Sequence, residues 1–339
     1  MGASDLSGYF ITGGRQRTAR LRTREEWHAY EKAVLIHLDD ETGEARCVLA
    51  HESPPGRRPE KNPSFVFKAG SWDGEHLLLC TQTEIVIFDP HTESVVRTVS
   101  HPWMNDVHHV TRIDGRLHVV STGLDALLVF DEDDAEIVEV HSATGAPPWG
   151  RFDKQTDYRL VATTKPHQAH PNYVYHHNGA RWISRFEQRD TLRIDGEAAT
   201  LRLADDPVHD GVPLGEDVWF TVVSGAVIAA QPGQQRVRAR YDLNAFETGP
   251  PRPLGWCRGI HLEPERTLLG FSRLRPTLLK QNLSWLRKPL GKLPEPHPTR
   301  IVAYDLDAGR KLKTWSLEGV GISSIFSILP DRPPDALSV

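Results

Sequence analysis

Short apolar runs separated by turn residues recur along the chain, and the clearest set of four lies in one stretch near the middle. The runs cover residues 106–111, 117–121, 124–130 and 137–141. The two-residue turn Asp114-Gly115 joins the first pair. Runs of this length, rich in β-branched residues and joined by an Asp-Gly turn, are typical of antiparallel hairpins. The pattern therefore predicts a sheet of four antiparallel strands.

A repeated unit is indicated by an aromatic or aliphatic residue that precedes aspartate at the end of an apolar run. Its six copies are Leu38-Asp39, Phe88-Asp89, Phe130-Asp131, Ile194-Asp195, Tyr241-Asp242 and Tyr304-Asp305. The steps between successive aspartates are 50, 42, 64, 47 and 63 residues, and propeller blades repeat every ~40–50 residues. The two long steps contain insertions, which we place at 142–166 and 272–299.

These repeats predict an all-β, six-bladed β-propeller in which strands from both ends of the chain complete one blade. The apolar run 322–328 has no partner runs after it, and the runs 33–38 and 45–50 lack an inner strand before them. Joining them closes the ring and removes exposed sheet edges. We expect one propeller domain over residues 33–330 and a C-terminal tail at 331–339.

An N-terminal arm is expected over residues 1–32, with a short helix at Thr23–Ala33. Thr23 can cap this helix, because Glu26 follows three residues later.

Composition and charge narrow the classes of function. The net charge of −5, with histidine neutral, gives no electrostatic footprint for nucleic acid. No apolar run reaches the ~20 residues of a transmembrane helix, and the first thirty residues lack an apolar secretory core. The three cysteines show no metal-type spacing. We therefore expect a cytoplasmic, reduced protein that acts on a small molecule, without a nucleic-acid or membrane partner.

Four short phrases that contain histidine precede β-like runs in successive repeats. They are Asn105-Asp-Val-His-His109, His167-Gln-Ala-His-Pro-Asn172, His209-Asp-Gly211 and Cys257-Arg-Gly-Ile-His261. One polar phrase at the same place in each repeat brings these side chains together at the axis. Since alternate residues of a strand share a face, we expect Asp106 and His108 to face the channel, with His109 on the opposite face.

These side chains predict a divalent metal ion on the axis, because neutral imidazoles from separate blades suit iron, zinc, copper or manganese. The predicted ligands are His108, His170, His209 and His261. The candidate catalytic residues are Asp106, Asp210 and Arg258. The aspartates would orient histidines, and the arginine would hold an anion. The candidate substrate contacts are Asn105, His109, Asn172 and Arg258.

Two other interpretations of the same side chains stay open. In the first, the polar residues of the channel only bind one another and trapped water. In the second, one histidine acts without a metal as general acid, base or nucleophile, and an aspartate sets its tautomer.

The blade pattern resembles the six-bladed propellers of the gluconolactonase/strictosidine-synthase and arylsulfotransferase-like groups over most of the chain. His209-Asp210 and the phrase at 105–109 are similar to the histidine-rich strand starts of the second group. The lactonase type holds its metal with Glu, Asn and Asp, whereas this chain offers mainly histidine. A four-histidine iron site is also known on the axis of the longer, seven-bladed carotenoid cleavage oxygenases. Gly255-Trp-Cys-Arg-Gly and Gly270-Phe-Ser-Arg-Leu-Arg look like segments of uncharacterised bacterial propeller proteins.

We expect a metal-dependent enzyme that performs Lewis-acid hydrolysis or elimination on a small organic or sugar-derived substrate. An all-imidazole shell also suits an iron- or copper-dependent oxygenase or oxidase. A non-catalytic binding or scaffold propeller is the third alternative. The leucine-rich, basic segment 272–299 would then offer a lid or a homo-oligomer contact.

Overall fold

The computed structural model describes residues 8–17, 29–131, 133–248, 252–274 and 297–333. Within them the chain is all-β and forms six four-stranded antiparallel sheets, which confirms the predicted six-bladed propeller. The strands are β1 (Gly8–Gln16), β2 (Tyr30–Asp39), β3 (Ala45–His51), β4 (Ser71–Asp73), β5 (His76–Cys80), β6 (Ile85–Asp89), β7 (Ser94–Val99), β8 (Val107–Ile113), β9 (Arg116–Ser121), β10 (Ala126–Phe130), β11 (Ile137–Ser142), β12 (Pro171–His177), β13 (Ala180–Arg185), β14 (Asp190–Arg193), β15 (Thr200–Arg202), β16 (Val208–Leu214), β17 (Asp217–Val222), β18 (Ala226–Gln231), β19 (Arg236–Asp242), β20 (Trp256–Leu262), β21 (Thr267–Ser272), β22 (Arg300–Asp305), β23 (Arg310–Ser316) and β24 (Ser324–Pro330).

The helical segments of the described residues are short 3-10 turns, located at Thr122–Leu124, Pro148–Gly150, Tyr158–Leu160, Pro232–Gln234, Leu243–Phe246 and Glu318–Val320. Among the same residues no helix is long and apolar enough to cross a membrane.

Each sheet is one blade, numbered from the blade that contains the N-terminal strand. From the inside outward, blade 1 is β24-β1-β2-β3, blade 2 is β4 to β7, blade 3 is β8 to β11, blade 4 is β12 to β15, blade 5 is β16 to β19 and blade 6 is β20 to β23. Inner strands of neighbouring blades contact one another in the pairs β4–β8, β8–β12, β12–β16, β16–β20 and β20–β24, and Gly70, just before β4, donates to Ser327 of β24 at 2.9 Å. These six inner strands therefore surround the propeller axis.

Six hydrophobic clusters fill the gaps between neighbouring blades. In the gap that closes the ring, Ile11 and Ile36 of blade 1 pack with Leu268 and Ile301 of blade 6. Middle strands are covered on both faces, so their sequences are continuous apolar runs rather than alternating ones. Strand β10 is buried at every position. Burial of apolar surface contributes about 25 cal/mol per Å², and here it holds each blade to the next.

Strands from both ends of the chain close the ring in blade 1, as predicted for the runs at 322–328, 33–38 and 45–50. The structure adds β1, which pairs with β2 on one side and with β24 on the other. The prediction of an N-terminal arm over residues 1–32 is therefore wrong for β1, which is part of a blade. The glycines of β1 interrupt its apolar pattern, so the sequence did not indicate a strand there. The predicted helix is wrong for residues 30–33, which belong to β2. Its residues 23–28 lie outside the described part of the chain.

The predicted repeat unit is in phase in five of its six copies. Their aspartates end or follow the third strand of a blade, and in four of them the carboxylate caps a turn, whereas Asp195 accepts from the backbone N–H of Arg181. Asp89, for example, accepts the backbone N–H of His91 at 2.8 Å. Tyr241-Asp242 was expected to be equivalent, but it ends β19, the fourth strand of blade 5. The third strand of that blade ends instead at Gln231, so sequence spacing alone misplaced this copy.

After Ser142, which ends β11, the insertion at 142–166 forms 3-10 turns and no strand, so no further blade is hidden in it. It packs beside the start of β8, where the Asn105 side-chain amide donates to the carbonyls of Tyr158 and Val161 at 2.7 and 2.8 Å. Residues 275–296 of the second insertion lie outside the described residues. The homo-oligomer contact through 272–299 therefore stays a prediction.

Candidate functional site at the propeller axis

One extra residue bulges from the inner strand of five blades. In blade 3, Val107 pairs with Ser121 and His109 pairs with Val120, so His108 has no cross-strand partner. The corresponding register shifts occur at Asn172, Asp210, Gly259 and Phe326 of the other inner strands. A bulge bends its strand and re-aims its side chains. Of these bulged residues, His108 and Phe326 line the cavity described below.

Blade 2 supplies Lys68 at the matching place, just before the short strand β4. The backbone N–H of Ala69 donates to the carbonyl of His108 at 2.9 Å, and Ala69 forms a parallel bridge with His109. Lys68 and His108 therefore lie side by side on neighbouring blades. The axial side chains contributed by blades 2, 3, 4, 5, 6 and 1 are, in that order, Lys68, His108, His170, His209, Arg258 and Phe326.

An open cavity of about 970 Å³, counting the space at its mouth, lies at this end of the axis. Its wall includes Arg58, Lys68, Asn105, Asp106, His108, Lys165, His167, His170, Arg258 and Phe326. About 100 Å³ of this space is open to the centre of a water-sized sphere, so the cavity suits a compact ligand. The fold thus brings five predicted site residues together around one space, namely Asn105, Asp106, His108, His170 and Arg258.

A buried ion pair between Lys68 and Asp106 forms one part of the wall. The Lys68 side chain is 7% exposed, and its ammonium group contacts a carboxylate oxygen of Asp106. Nδ1 of His108 lies 2.7 Å from the backbone oxygen of Asp106, so Nδ1 carries the hydrogen. The Lys68 ammonium lies 3.2 Å from Nδ1 and 3.3 Å from Nε2 of His108, and Nε2, which carries no hydrogen in this tautomer, is the nitrogen that can accept from it. The three side chains form one hydrogen-bonded group.

Burial controls the charge of this group. It lowers the pKa of Lys68, against the attraction of Asp106, which raises it. Burial alone would raise the pKa of Asp106, but the positive charge of Lys68 holds that pKa well below its usual range. Burial, followed by the charge of Lys68, also lowers the pKa of His108 well below its usual value. At neutral pH His108 is therefore a neutral imidazole beside a carboxylate.

The carboxylate of Asp125 holds the turn that carries His167 and His170. It accepts the backbone N–H groups of residues 168–170 at 2.8, 2.9 and 2.8 Å. Nδ1 of His167 lies 3.2 Å from Nδ1 of His170, and Nε2 of His167 lies 4.0 Å from Asp106. Burial lowers the pKa of both histidines. They form a pair of neutral imidazoles in which one ring donates to the other.

Arg258 lies between two aromatic rings at the same end of the axis. Its guanidinium carbon is 4.7 Å from the centre of the Trp256 ring and 4.8 Å from that of Phe326. Its Nε donates to Nε2 of His209 at 3.1 Å. Burial, and then the charge of Arg258, lowers the pKa of His209 well below its usual value. Stacking and this hydrogen bond fix the plane of the guanidinium.

Asp210 and Asn172 are not part of the cavity wall. The carboxylate of Asp210 accepts the hydroxyl of Thr221 and the backbone N–H of Gly259, the latter at 3.1 Å. Burial raises the pKa of Asp210 to about 6. The Asn172 amide donates to the carbonyl of Val208 at 2.9 Å. Both side chains join neighbouring blades, in contrast to the catalytic and substrate-binding roles expected for them.

Two predicted histidines lie away from the cavity. His109 stacks on Tyr173, with ring centres 3.5 Å apart, and is buried between blades 3 and 4, so it is not placed to contact substrate as expected. His261 lies beside Tyr9 and 3.5 Å from Glu263. A strand rises ~3.3 Å per residue, so three residues carry His261 ~10 Å along β20 from Arg258.

The predicted metal ligands do not form a common set. The rings of His108 and His170 are in contact, with centres 4.9 Å apart, but His209 is hydrogen-bonded to Arg258. Lys68 and Arg258 donate to the imidazole nitrogens of His108 and His209 that a metal ion would need. In the part of the chain described, no three His, Cys, Asp or Glu side chains are placed to hold a metal ion. The metal ion stays a prediction, and these donors fit an anion better.

Sequence patterns did not identify Lys68, His167 or Lys165 as site residues. The available signal for Lys68 was a single charged residue inside the apolar run 65–69. His167 shares a phrase with His170 but precedes the strand, so the two-residue spacing of a strand does not select it. Lys165 belongs to an insertion whose path depends on the packed blades.

Comparisons with known proteins support the fold. No protein-family model and no curated protein matches the chain. A Bacteroides caccae protein of unknown function is similar in structure, with a TM-score of 0.60, 11% identity, and coverage of 96% of this chain and 98% of that one. A nidogen/laminin complex matches with a TM-score of 0.55, 11% identity and coverage of 95% and 97%. The WD40 β-propeller domain of Doa1 matches with a TM-score of 0.51, 12% identity and coverage of 96% and 87%. Likeness at these identities concerns the fold alone, so function has to be argued from the site.

Proposed function

We propose that the axial cavity binds a small organic anion and that the protein catalyses its hydrolysis or elimination by proton transfer. The observation that supports this most directly is the charge of the wall. Among the described lining residues, Arg58, Lys68, Lys165 and Arg258 are cationic, and Asp106 is the carboxylate. Positive charge in a concave, partly desolvated site favours a negatively charged ligand.

Arg258 is the proposed anchor of the anionic group. A guanidinium presents a planar fork of donors that matches a carboxylate or a phosphate. The flanking rings of Trp256 and Phe326 hold this fork in one orientation, so little side-chain entropy is lost when a ligand binds. Lys165 adds a second positive charge on the same wall.

His167 and His170 are the proposed proton carriers. A general base must be neutral before it accepts a proton, and burial keeps both imidazoles neutral. Asp106, 4.0 Å from Nε2 of His167, would stabilise the imidazolium that forms. A positioned general acid or base contributes roughly 10²–10⁴-fold in rate. In hydrolysis the pair would activate water, and in elimination it would remove a proton from carbon.

The resemblance to gluconolactonase/strictosidine-synthase and arylsulfotransferase-like propellers belongs to the same proposal, as does a cytoplasmic location. Both groups are six-bladed propellers that act on a small organic substrate at the propeller axis. A metal-dependent hydrolase or oxidase and a purely binding propeller are the competing functions.

Isothermal titration calorimetry with lactate, citrate, phosphate and glucose 6-phosphate tests the anion site. Arg258→Gln should weaken binding about tenfold or more, because a hydrogen bond to a charged group contributes about 1.5–3 kcal/mol. Arg238→Gln is the matched control, since it removes the same charge from β19, where Arg238 pairs with Asp217 at 2.7 Å. Binding of none of the anions, or equal losses in the two variants, would contradict the proposal. Binding without turnover of any tested compound would leave the purely binding propeller.

A further inference from the structure

We propose that Lys68 forms a covalent imine with the carbonyl group of the bound molecule, so that the substrate is a small aldehyde or ketone that also carries an anionic group. This inference rests on the proposed function, because Arg258 then holds the anionic group. It adds the class of substrate and the covalent chemistry to the anion site.

The placement of the amine carries the inference. Lys68 lines the cavity beside the apolar side chains of Val66 and Phe326, yet its side chain is 7% exposed. Lys165 lines the same cavity but is exposed to solvent. Imine formation releases water, so it is favoured where solvent is excluded, and the shielded amine of Lys68 is the better placed of these two lysines.

The neighbours of Lys68 complete the chemistry. Nε2 of His108 accepts from the ammonium group and is placed to take its proton. The neutral amine then attacks the carbonyl carbon, and a proton moves from nitrogen to the carbonyl oxygen to give a carbinolamine. His108 returns its proton to the hydroxyl group, which leaves as water. The net change is ammonium plus carbonyl to iminium plus water, and Asp106 is the counter-ion before and after.

A purely structural ion pair accounts less well for this arrangement. Buried ion pairs add little net stability, because desolvation offsets their attraction. The Asp106 side chain keeps 26% exposure on the cavity, so the pair faces a space that a ligand can enter.

Trapping with sodium borohydride tests the inference on the intact protein. The protein is incubated with pyruvate, 2-oxoglutarate or glycolaldehyde phosphate and reduced, and peptide mass spectrometry locates the alkylated lysines. Lys68 should be labelled roughly tenfold or more above the exposed Lys154 and Lys313, because a bound carbonyl compound is held beside Lys68 and not beside the two surface lysines. Prior addition of lactate, an anion without an aldehyde or ketone group, should protect Lys68 and leave the labelling of the exposed lysines unchanged.

Two variants test the lysine itself, and lactate binding is measured on the natural protein. Lys68→Arg keeps the charge beside Asp106 but cannot form an imine, so it should show no adduct at position 68 while the exposed lysines keep their labelling. If circular dichroism shows that the arginine variant does not fold, Lys68→Met is used for the adduct measurement alone, because methionine also removes one positive charge of the wall. Lactate binding without any adduct at Lys68 would overturn the imine and leave the anion site standing. If neither lactate nor the carbonyl probes bind, the anion site itself is contradicted, and the imine that rests on it is contradicted as well.

Discussion

The carboxylate of Asp125 in blade 3 accepts the backbone N–H of His170, which immediately precedes the inner strand of blade 4, at 2.8 Å. The guanidinium of Arg151 donates to the same carboxylate at 3.0 Å. One anion from a neighbouring blade thus positions the loop that carries both site histidines. The shape of the cavity depends on contacts between blades as much as on the strand that presents each side chain.

Asp125→Ala should both destabilise the protein and weaken anion binding. The side chain receives three backbone N–H groups, and their loss should cost about 3 kcal/mol, because buried donors without partners are expensive. Urea unfolding and calorimetry with the tightest anion measure the two effects. Asp89→Ala is the control, since Asp89 caps an exposed turn and should cost about 1 kcal/mol with no change in binding. Equal costs for the two variants would argue against a positioning role for Asp125.

Asp210 should make stability decrease as the pH rises. Its folded pKa of about 6 lies above the ~3.9 of an unfolded aspartate. The stability that this group contributes is therefore full below pH ~4 and is lost as the pH rises through about 6, a difference of about 3 kcal/mol. Asp210→Asn removes the titrating group, and asparagine tolerates the φ of 61° at this position.

Urea unfolding of Asp210→Asn from pH 4 to pH 8 should show a gain over the natural protein that grows with pH. Asp305→Asn is the control, because hydrogen bonding from the backbone lowers the pKa of Asp305. That control should show no gain over the same range. A constant difference between Asp210→Asn and the natural protein would disprove the assigned titration.

His108 and His109 are neighbours that should respond oppositely to substitution. His109→Ala removes a ring stacked on Tyr173 between blades and should cost about 3 kcal/mol of stability, with anion binding unchanged. His108→Ala should reduce turnover or imine formation about 100-fold with a smaller loss of stability. Thermal unfolding and activity are measured on both variants. Loss of anion binding in His109→Ala, with binding retained in His108→Ala, would contradict the assignment of His108 to the cavity and of His109 to packing between blades.

Substitution of Gly13 should destabilise the pairing of β1 with β24 that closes the ring. A Cβ atom on this residue would lie 1.8 Å from the carbonyl oxygen of Ser324 in β24, so Gly13→Ala must push the two terminal strands apart. We expect a loss of about 3 kcal/mol, at the upper end of typical overpacking. Gly319→Ala is the control, because a Cβ there meets nothing within 4 Å. Urea unfolding that ranks the two variants equally would contradict the tight β1–β24 contact.

The metal content of untagged protein, purified without chelator, separates the proposed function from the metal-dependent one. Because Lys68 and Arg258 donate to imidazole nitrogens of His108 and His209, we expect elemental mass spectrometry to find well below one metal ion per chain. Added zinc should leave the melting temperature unchanged. One iron, zinc, copper or manganese per chain, lost in the three variants His108→Ala, His170→Ala and His209→Ala, would restore the metal site.

Local patterns were sufficient to predict the architecture. Apolar runs and turns such as Asp114-Gly115 depend on residues adjacent in sequence, and their order along the chain implied six blades. The pairing of the run 322–328 with N-terminal strands followed from the need to leave no sheet edge open. The same reasoning missed β1, because Gly13 and Gly14 leave it without a continuous apolar run and pairing with both β2 and β24 selects strand structure there.

The sequence by itself determined the propeller and the phrases that bring Asp106, His108, His170 and Arg258 to the axis, because strand and turn preferences act over a few residues. Only the tertiary structure decided what these side chains do there. Lys68 reaches His108 from another blade, and Arg258 reaches His209 across 49 residues of sequence. Bulges also set which side chains face the cavity, and a bulge is a property of the register between two strands. Charge and hydrogen-bonding partners therefore arise from packing between blades, which no single segment of the sequence contains.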